Sequence, residues 1–369
     1  MSDFMSHFNA IADPRIKRCR LHELMDILFL SISAILCGAD GWEEIEDFGH
    51  ARLDWLKKYF PFENGIPKHD TIARVLSRLE PTALQNSFIS WMNAACELSQ
   101  GEVVAIDGKT VRRSFRKGDR KSAIHMVSAW ACQNNMVLGQ QKVNEKSNEI
   151  TAIPALLQLL DVKGCIITID AMGCQTEIAQ TIINQGANYV LALKGNQGDL
   201  CDEVKMLFEQ SSLPLKEETT EEVDSGHGRI EVRRCRQIKI NKKWLPTSVR
   251  WPKLNSIIEI DARRDDGNKT TTEKRYYISS LVLDAKKAAA TVRHHWAVEN
   301  KLHWVLDVTF REDESRIRRG NGAEVMSTLR RLTLNLLKQN TTSKASMKRK
   351  RKIAIMDDTL RSELVCPGN

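Results

Sequence analysis

Apolar residues recur every three or four positions through the first hundred residues. The pattern is clearest at 21–37, 42–59, 71–79 and 83–98, and this period predicts amphipathic helices. Short helices joined by turns are compatible with a helix-turn-helix DNA-binding module, and equally with a helical packing domain that does not touch DNA. We therefore predict a helical N-terminal domain over residues 1–98.

From residue 102 onwards, short apolar runs typical of buried strands alternate with helical spacing. The predicted strands are 103–106, 124–132, 136–143, 165–169 and 189–193, and the predicted helices are 149–160 and 177–184. The first three strands should pair antiparallel. The last two follow helical crossovers and should lie parallel to the first. This order predicts a mixed α/β sheet.

The second half of the chain changes texture twice. Residues 212–282 alternate polar and apolar positions between turn signals, which predicts a β-rich insertion. In it His227 is predicted as a turn residue, with contact to DNA as the alternative. Helical spacing returns at 284–306 and 323–338. A basic run at 348–352 predicts a DNA-binding or solubilising tail over 343–369. The core would then comprise residues 99–211 and 283–342.

Composition narrows the class of protein. The 369 residues correspond to two or three domains, and 42% hydrophobic with 28% charged residues excludes a disordered chain, a collagen-like fibre and a disulfide scaffold. The 55 basic and 47 acidic residues leave a net charge of +8, which suits a polyanionic partner. Nine scattered cysteines and no apolar signal segment favour the cytoplasm and no membrane association.

Two carboxylates stand where predicted strands end. Asp107 follows VVAI and Asp170 follows IITI. A single Asp at such a place is most often a turn residue. Two of them on neighbouring parallel strands would converge at one edge of the sheet, and their repulsion would be relieved by a cation. Oxygen ligands select hard ions such as Mg²⁺ or Mn²⁺.

Glu299 is the candidate for a third acid. Its apolar neighbours predict a largely buried helix, so its carboxyl group must be paired, protonated or bound to a metal. One alternative is an ion pair with Arg293 or His295. Another is a zinc site made by His295, Glu299 and His303, which are spaced four apart on one helix face. Three ligands on one straight helix reach a single ion poorly.

Four segments resemble the DDE transposases of bacterial insertion sequences, in particular the H-repeat-associated branch found beside RHS elements. They are VVAIDGKTVRRS, IITIDAMGCQ, YVLALKGNQ and RHHWAVENKLHWVLDVTFREDESRIR, and the similarity covers nearly the whole chain. It implies an RNase H-like mixed sheet core with a β-rich insertion. It also implies that Asp107 ends the first strand, that Asp170 ends the fourth, and that Glu299 lies on a late helix. These three would be the catalytic residues and would hold two divalent cations, Mg²⁺ or Mn²⁺.

The resemblance further implies the activity. The protein would cut element ends and join them to target double-stranded DNA, acting as a homodimer on DNA in the bacterial cytoplasm. An inactive DNA-binding relic and an RNase H-like nuclease or resolvase stay open as alternatives. One departure affects the DNA contacts of the glutamate helix, because Val292, His295 and Leu306 replace the Tyr, Arg and Lys of the family signature.

Basic residues near the three acids are the predicted contacts to DNA phosphates, because Lys and Arg neutralise the backbone charge. Trp296 and Trp304 are predicted to pack in the core, with base stacking as the alternative. The predicted phosphate contacts are Lys109, Arg112, Arg113, Lys194, Arg293, Lys301, Arg316 and Arg318, with Arg116, Lys117 and Arg319 beside them.

Overall fold

A computed structural model describes residues 3–115, 119, 122–143, 148–210, 214–226 and 228–366. The predictions for Arg116, Lys117 and His227 lie outside the described residues. The chain builds one nine-stranded mixed sheet in the order β3-β2-β1-β4-β5-β9-β8-β7-β6. The strands are β1 (Val103–Thr110), β2 (His125–Ala131), β3 (Met136–Lys142), β4 (Ile166–Ile169), β5 (Asn188–Leu193), β6 (Glu217–Gly226), β7 (Arg229–Lys239), β8 (Ser256–Asp265) and β9 (Thr270–Ser279).

The pairing of the first five strands confirms the predicted mixed α/β arrangement. Strands β1, β2 and β3 are antiparallel neighbours, whereas β4 lies parallel to β1 and β5 parallel to β4. The crossovers run through α6 (Glu149–Leu159) and α7 (Thr176–Asn184). Strand β9 then pairs antiparallel with β5. The β-rich stretch therefore extends the same sheet.

Alternation along β1 assigns its side chains to two cores. Val104 and Ile106 pack on the side of α6, α7 and α8 (Gly198–Glu209), a helix that the sequence analysis did not predict. Val103 and Ala105 pack on the opposite side, which carries α9 (Ala285–His295) and α11 (Gly322–Gln339). Because side chains alternate along a strand, Asp107 points toward the α9 side and Gly108 toward the α6 side.

The N-terminal helices share the core of the α9 side. They are α1 (Asp3–Ser6), α2 (Leu24–Leu36), α3 (Trp42–Leu56), α4 (His69–Leu76) and α5 (Pro81–Ala95). Helix α2 is buried along nearly its whole length and packs against α3 and α11, while α5 packs against β3. Across the described part of the chain, every helix is too short or too polar to cross a bilayer.

Within the predicted basic tail, the described residues form α12 (Met347–Met356) and α13 (Asp358–Val365). Lys350 and Arg351 of the basic run are buried. Lys350 Nζ donates to the Leu337 carbonyl over 3.2 Å, and Arg351 Nη2 donates to the Ile35 carbonyl over 2.8 Å. These carbonyls lie in the last turns of α11 and α2, where the negative end of the helix dipole attracts cations.

Candidate active site

The first two acids stand side by side at the carboxyl edge of the parallel strands. The last residue pair between β1 and β4 is Ile106 with Ile169, so Asp107 and Asp170 each follow it by one residue. The prediction that β1 ends at Asp107 is wrong, because the strand stays paired with β2 as far as Thr110. Only its β4 side is open beyond Ile106, and that opening leaves room for ligands next to Asp107.

Asp170 has a structural role as well as a place at the edge. Its Oδ1 accepts the N–H groups of Met172 over 3.0 Å and Gly173 over 3.3 Å, which closes the turn after β4. Burial raises the pKa of Asp170, and the charge of Glu149 adds to that rise, while Lys194 acts in the opposite direction. One carboxylate oxygen of Asp170 is therefore used in the turn, while the residue still lies at the carboxyl edge of the sheet.

A break in the helix brings the third acid to Asp107. Helix α9 ends at His295, residues Glu299–His303 form a π-helical turn, and α10 (Trp304–Val308) follows. Such wide turns are frequent at functional sites. This one directs Glu299 and His303 to the same side, where His303 Nδ1 lies 3.5 Å from Asp107 Oδ2 and 3.5 Å from Glu299 Oε2.

One ligand atom from each of Asp107, Glu299 and His303 lies within 4.8 Å of the other two. Within the described ranges, Asp170 does not belong to a group of three ligands that meets this distance. It lines the same cavity, however, together with Asp107 and Glu299. The three predicted acids thus face one space, with two of them in closer contact than the third.

The local alternatives proposed for Glu299 are wrong. Its side chain is 55% exposed toward the cavity and not buried as predicted. Arg293 pairs instead with Asp224 over 3.0 Å, and His295 Nδ1 lies 3.0 Å from the Thr168 hydroxyl. The three-residue zinc site on one helix is therefore not assembled, since one of its histidines is bonded to the sheet.

The charges at this edge repel one another. Burial raises the pKa of Asp107 to about 7, and the negative charges of Glu299, Asp170 and Glu149 add to the rise. Burial also lowers the pKa of His303 to about 3, so its imidazole is neutral at pH 7. The histidine cannot relieve the repulsion by taking up a proton, whereas a divalent cation could. The donor set and its charge therefore fit a metal ion.

Lys109 is buried, so the prediction that it contacts DNA is wrong. Its Nζ lies 2.7 Å from Asp307 Oδ1, 3.0 Å from Asp313 Oδ1 and 3.6 Å from Glu312 Oε2. Glu312 also pairs with the buried Arg331 over 2.9 Å. Lys109 lies two residues beyond Asp107 on the same face of β1, which points into the protein. The network therefore ties the Asp107 strand to the loop after α10.

Glu149 is an acid of this region that the sequence analysis missed. It is the first residue of α6, and its Oε1 lies 2.5 Å from His125 Nε2, while His125 Nδ1 lies 2.8 Å from Thr110 Oγ1. A Cβ at Gly108 would come closer than 3.0 Å to both Glu149 and His125. An acid in the first turn of a helix is common for local reasons, so only the glycine after Asp107 could have signalled this packing.

The acids line a cavity of about 490 Å³ whose walls also carry basic, aromatic and apolar side chains and a further acid, Glu273, which pairs with Arg275. Lys194, Lys205 and Arg275 contribute positive charge, of which only Lys194 was predicted. Trp296 is 45% exposed beside them, and the Arg275 guanidinium stacks 4.4 Å from its ring centre. The prediction of core packing for Trp296 is therefore wrong, as it is for Trp304, which is 58% exposed.

A second cavity, of about 410 Å³, lies between strands β6 to β9 and α9 and shares Arg275 and Trp296 with the first. Arg293 and Lys301, two of the predicted phosphate contacts, lie on its wall. Lys301 Nζ also donates to Asn135 Oδ1 in the turn between β2 and β3, over 2.8 Å. These two cations are thus next to the carboxylates but outside the cavity that the carboxylates line.

The remaining predicted cations meet on two adjoining loops. Arg112 and Arg113 are exposed just after β1, and Arg112 Nε lies 3.1 Å from Asp313 Oδ2. Arg318 donates to the Arg113 carbonyl over 2.9 Å and stacks 4.5 Å from the Phe115 ring. Arg316 is exposed on the same loop as Arg318. This pair of loops presents guanidinium groups to solvent.

Comparison with known proteins places the chain in a family. Residues 98–336 match the family described as Transposase DDE domain, and residues 5–92 match the one described as DDE_Tnp_1-associated. Among solved structures, piggyBac transposase in a synaptic complex with hairpin DNA aligns over 96% of this chain and 77% of its own, at a TM-score of 0.43 and 11% identity.

Relatives of known name match almost the full length. "Putative transposase YncI" of Escherichia coli O157:H7 is 46% identical over 95% of this chain and 91% of its own. "H repeat-associated putative transposase YhhI" of Escherichia coli K12 is 45% identical over 97% and 96%. A shorter relative, "Inactive transposase YbfQ" of the same strain, is 53% identical over 21% of this chain. The resemblance seen in the sequence is thus confirmed, and the chain belongs to the DDE transposase family, in the company of the H-repeat-associated proteins.

Proposed function

We propose that this transposase cuts the ends of its mobile element and joins them to target DNA by phosphoryl transfer with two divalent ions. The single observation that carries the proposal is the meeting of Asp107, Asp170 and Glu299 on one cavity at the carboxyl edge of the sheet. These residues come from β1, the end of β4 and a π-helical turn, and open α/β sheets place ligands at this edge.

In this proposal Asp107 stands between the two ion positions, with Glu299 on one side and Asp170 on the other. Ions bound there would activate the attacking oxygen and stabilise the leaving oxygen in an in-line displacement at phosphorus. Asp107 has its Oδ1 on the Gly108 N–H over 2.9 Å, which orients Oδ2 toward Glu299 and His303. The strand geometry thus holds this carboxylate ready to act as the shared ligand.

Two reactions would use the same cavity. A water oxygen attacks the phosphorus at the element end, the bond from phosphorus to the 3′ oxygen breaks, and a 3′-hydroxyl and a 5′-phosphate result. That hydroxyl then attacks a phosphodiester of the target strand and releases a new 3′-hydroxyl there. The protein needs no covalent intermediate in either step, because both nucleophiles are oxygens of water or DNA.

Cations around the cavity would hold the DNA backbone. Lys194, Lys205 and Arg275 line the cavity itself, so we assign them to the scissile phosphate and its neighbours. The adjoining loops of Arg112, Arg113, Arg316 and Arg318, and the second cavity with Arg293 and Lys301, would hold flanking phosphates. The exposed ring of Trp296 would stack on a base near the cut.

Two element ends require two active sites, so we propose that a homodimer assembles on the DNA in the bacterial cytoplasm. The test is a cleavage assay on duplexes that carry the element end, with Mg²⁺ or Mn²⁺. Asp107→Asn, Asp170→Asn and Glu299→Gln should each lower cleavage by at least about 100-fold, while Glu63→Gln, an exposed acid of the N-terminal region, should not.

The same assay separates the alternatives. Wild-type protein that binds the duplex but does not cut it with either ion would contradict the proposal and favour an inactive DNA-binding protein. Cleavage without transfer of the 3′ end to a target duplex would favour a nuclease or resolvase. Wild-type rates in all three acid variants would remove the assigned residues from the reaction.

A further inference from the structure

His303 lies among the predicted ion ligands, and neither the family resemblance nor the acidic trio accounts for it. Its side chain is only 8% exposed. Nε2 is buried and has no hydrogen-bond partner among the described residues. Nδ1 points at Asp107 Oδ2 and Glu299 Oε2, at 3.5 Å from each. Both distances exceed those of a good hydrogen bond. The buried imidazole thus lacks good hydrogen bonds at both nitrogens among the described residues, and burying a polar group in this way costs free energy.

The arrangement fits an ion better than it fits a hydrogen bond. Two ligands at about 2.1 Å from one ion, separated by about 90–110°, lie roughly 3.0–3.4 Å apart. The nitrogen is within a few tenths of an ångström of this spacing from both carboxylate oxygens. Glu299 and His303 are four residues apart on one side of the π-helical turn, and both side chains face Asp107 of β1.

His295 is a second histidine of this segment that lines the cavity, but it is hydrogen-bonded to the sheet. It is four residues before Glu299 on the same helical segment and, like His303, it has its pKa lowered by burial. Its Nδ1, however, lies 3.0 Å from the hydroxyl of Thr168 on β4, which is a normal hydrogen bond. It does not belong to the group of ligands around Asp107. The two histidines therefore form a matched pair for experiment.

We propose that His303 Nδ1 is a nitrogen ligand of the ion held by Asp107 and Glu299, and that this position takes a transition-metal ion in preference to Mg²⁺. The inference rests on the proposed function only in placing an ion between these carboxylates. Imidazole is a common ligand of first-row transition metals, whereas Mg²⁺ demands oxygen ligands. The Asp170 side of the site, where the described residues form no further group of three close ligands, would still accept Mg²⁺.

The test uses the full chain with Mn²⁺ as the probe, in the presence of duplex DNA, and measures the hyperfine coupling of ligand nitrogen by pulsed electron paramagnetic resonance. Wild-type protein should show a nitrogen coupling that changes on labelling with ¹⁵N-histidine. His303→Ala should lose the coupling and weaken Mn²⁺ binding about tenfold or more, with Mg²⁺ binding changed much less. His295→Asn should keep the coupling and the Mn²⁺ affinity.

Two results would overturn the inference. One is Mn²⁺ binding that is lost in Asp107→Asn but shows no coupling to histidine nitrogen in labelled wild-type protein. This result does not depend on whether a His303 variant folds. The other is the absence of any Mn²⁺ binding that depends on Asp107. DNA cleavage in the first case would leave the proposed function standing while this inference fails. Mn²⁺ bound to His303 in a protein that does not cleave DNA would support this inference and contradict the proposed function.

Discussion

The buried lysine behind Asp107 offers a prediction whose size follows from the structure. Lys109→Met keeps the length of the side chain and removes its charge. Three carboxylates at 2.7, 3.0 and 3.6 Å then lose their cation. Removing one partner of a buried ion pair costs about 3–5 kcal/mol. Because the Asp307 side chain is 35% exposed and Glu312 keeps Arg331, solvent and the remaining pair should hold the loss near about 3 kcal/mol.

The assay is thermal unfolding followed by circular dichroism. A loss of about 3 kcal/mol corresponds to a fall in Tm of roughly 6–12 °C, at about 2–4 °C per kcal/mol for large domains. The exposed lysine Lys242 provides the control, and Lys242→Met should stay within about 1 °C of wild type. A Lys109→Met protein as stable as this control would refute the account of Lys109 as the centre of a buried ion network.

The pH dependence of the same variant gives an independent check. In wild type the pKa of Glu312 lies near about 2, since Arg331 and Lys109 outweigh the effect of burial. Its contribution to stability is present above the unfolded pKa and is lost as the pH falls through the folded one. Without Lys109 the folded pKa of Glu312 moves upward, so this contribution shrinks. The stability gap between variant and wild type should therefore narrow in acid.

Three further outcomes are expected. Asp107→Asn should raise the Tm of metal-free protein at pH 8. The pKa of Asp107 is about 7 in the folded protein against 3.8 as its ordinary value, so its contribution to stability is full below pH 3.8 and is lost as the pH rises through 7. Thermal unfolding measured from pH 4 to 9 checks this. Gly108→Ala should lower DNA cleavage at least about tenfold and reduce stability by about 1–3 kcal/mol, since its Cβ would displace Glu149 and His125. Duplex affinity should fall steeply between about 50 and 200 mM salt, and Lys194→Ala should flatten that slope by about one phosphate contact.

Each of these has its own control. Mn²⁺ should remove the pH 8 advantage of Asp107→Asn by stabilising the wild type alone, and an equal response of both proteins would count against an ion at Asp107. Gly198→Ala should be tolerated, because a Cβ there has open space around it. Equal losses of cleavage and stability in the two glycine variants would contradict the packing of Glu149 and His125 over Gly108. If Lys194→Ala left the salt dependence of duplex affinity unchanged, Lys194 would not contact a DNA phosphate.

Much of the core could be predicted because its signals are local. Short apolar runs bounded by turns indicate buried strands, and a helix between two of them requires a parallel crossover, which is how β1, β4 and β5 are arranged. Parallel neighbours end at one edge, so the proximity of Asp107 and Asp170 follows from the same pattern. Helix α8 was not predicted, because the 3₁₀ turn that precedes it, Gly195–Gln197, has the sequence of a loop.

Burial of charged and aromatic side chains could not be predicted from neighbours in the sequence. The sequence predicts Lys109 as a DNA contact and Arg351 as part of a basic tail, but carboxylates and carbonyl oxygens from distant segments surround them. It predicts Trp296 and Trp304 as core residues, but both are exposed, and the helix is interrupted between them by the π-helical turn. A periodicity argument assumes an unbroken helix, and such a break changes which side chains face the core.

The sequence by itself determined which strands lie parallel and that two aspartates meet at their ends, since both follow from hydrophobic patterning and chain connectivity. Only the tertiary structure decided that Glu299 reaches Asp107 through a π-helical turn, that His303 comes with it, and that Glu149 packs over Gly108. Asp107 is nearly two hundred positions from Glu299 and His303, and Gly108 is about forty positions from Glu149. Their geometry depends on how helices pack across the sheet, and local spacing carries no record of that packing.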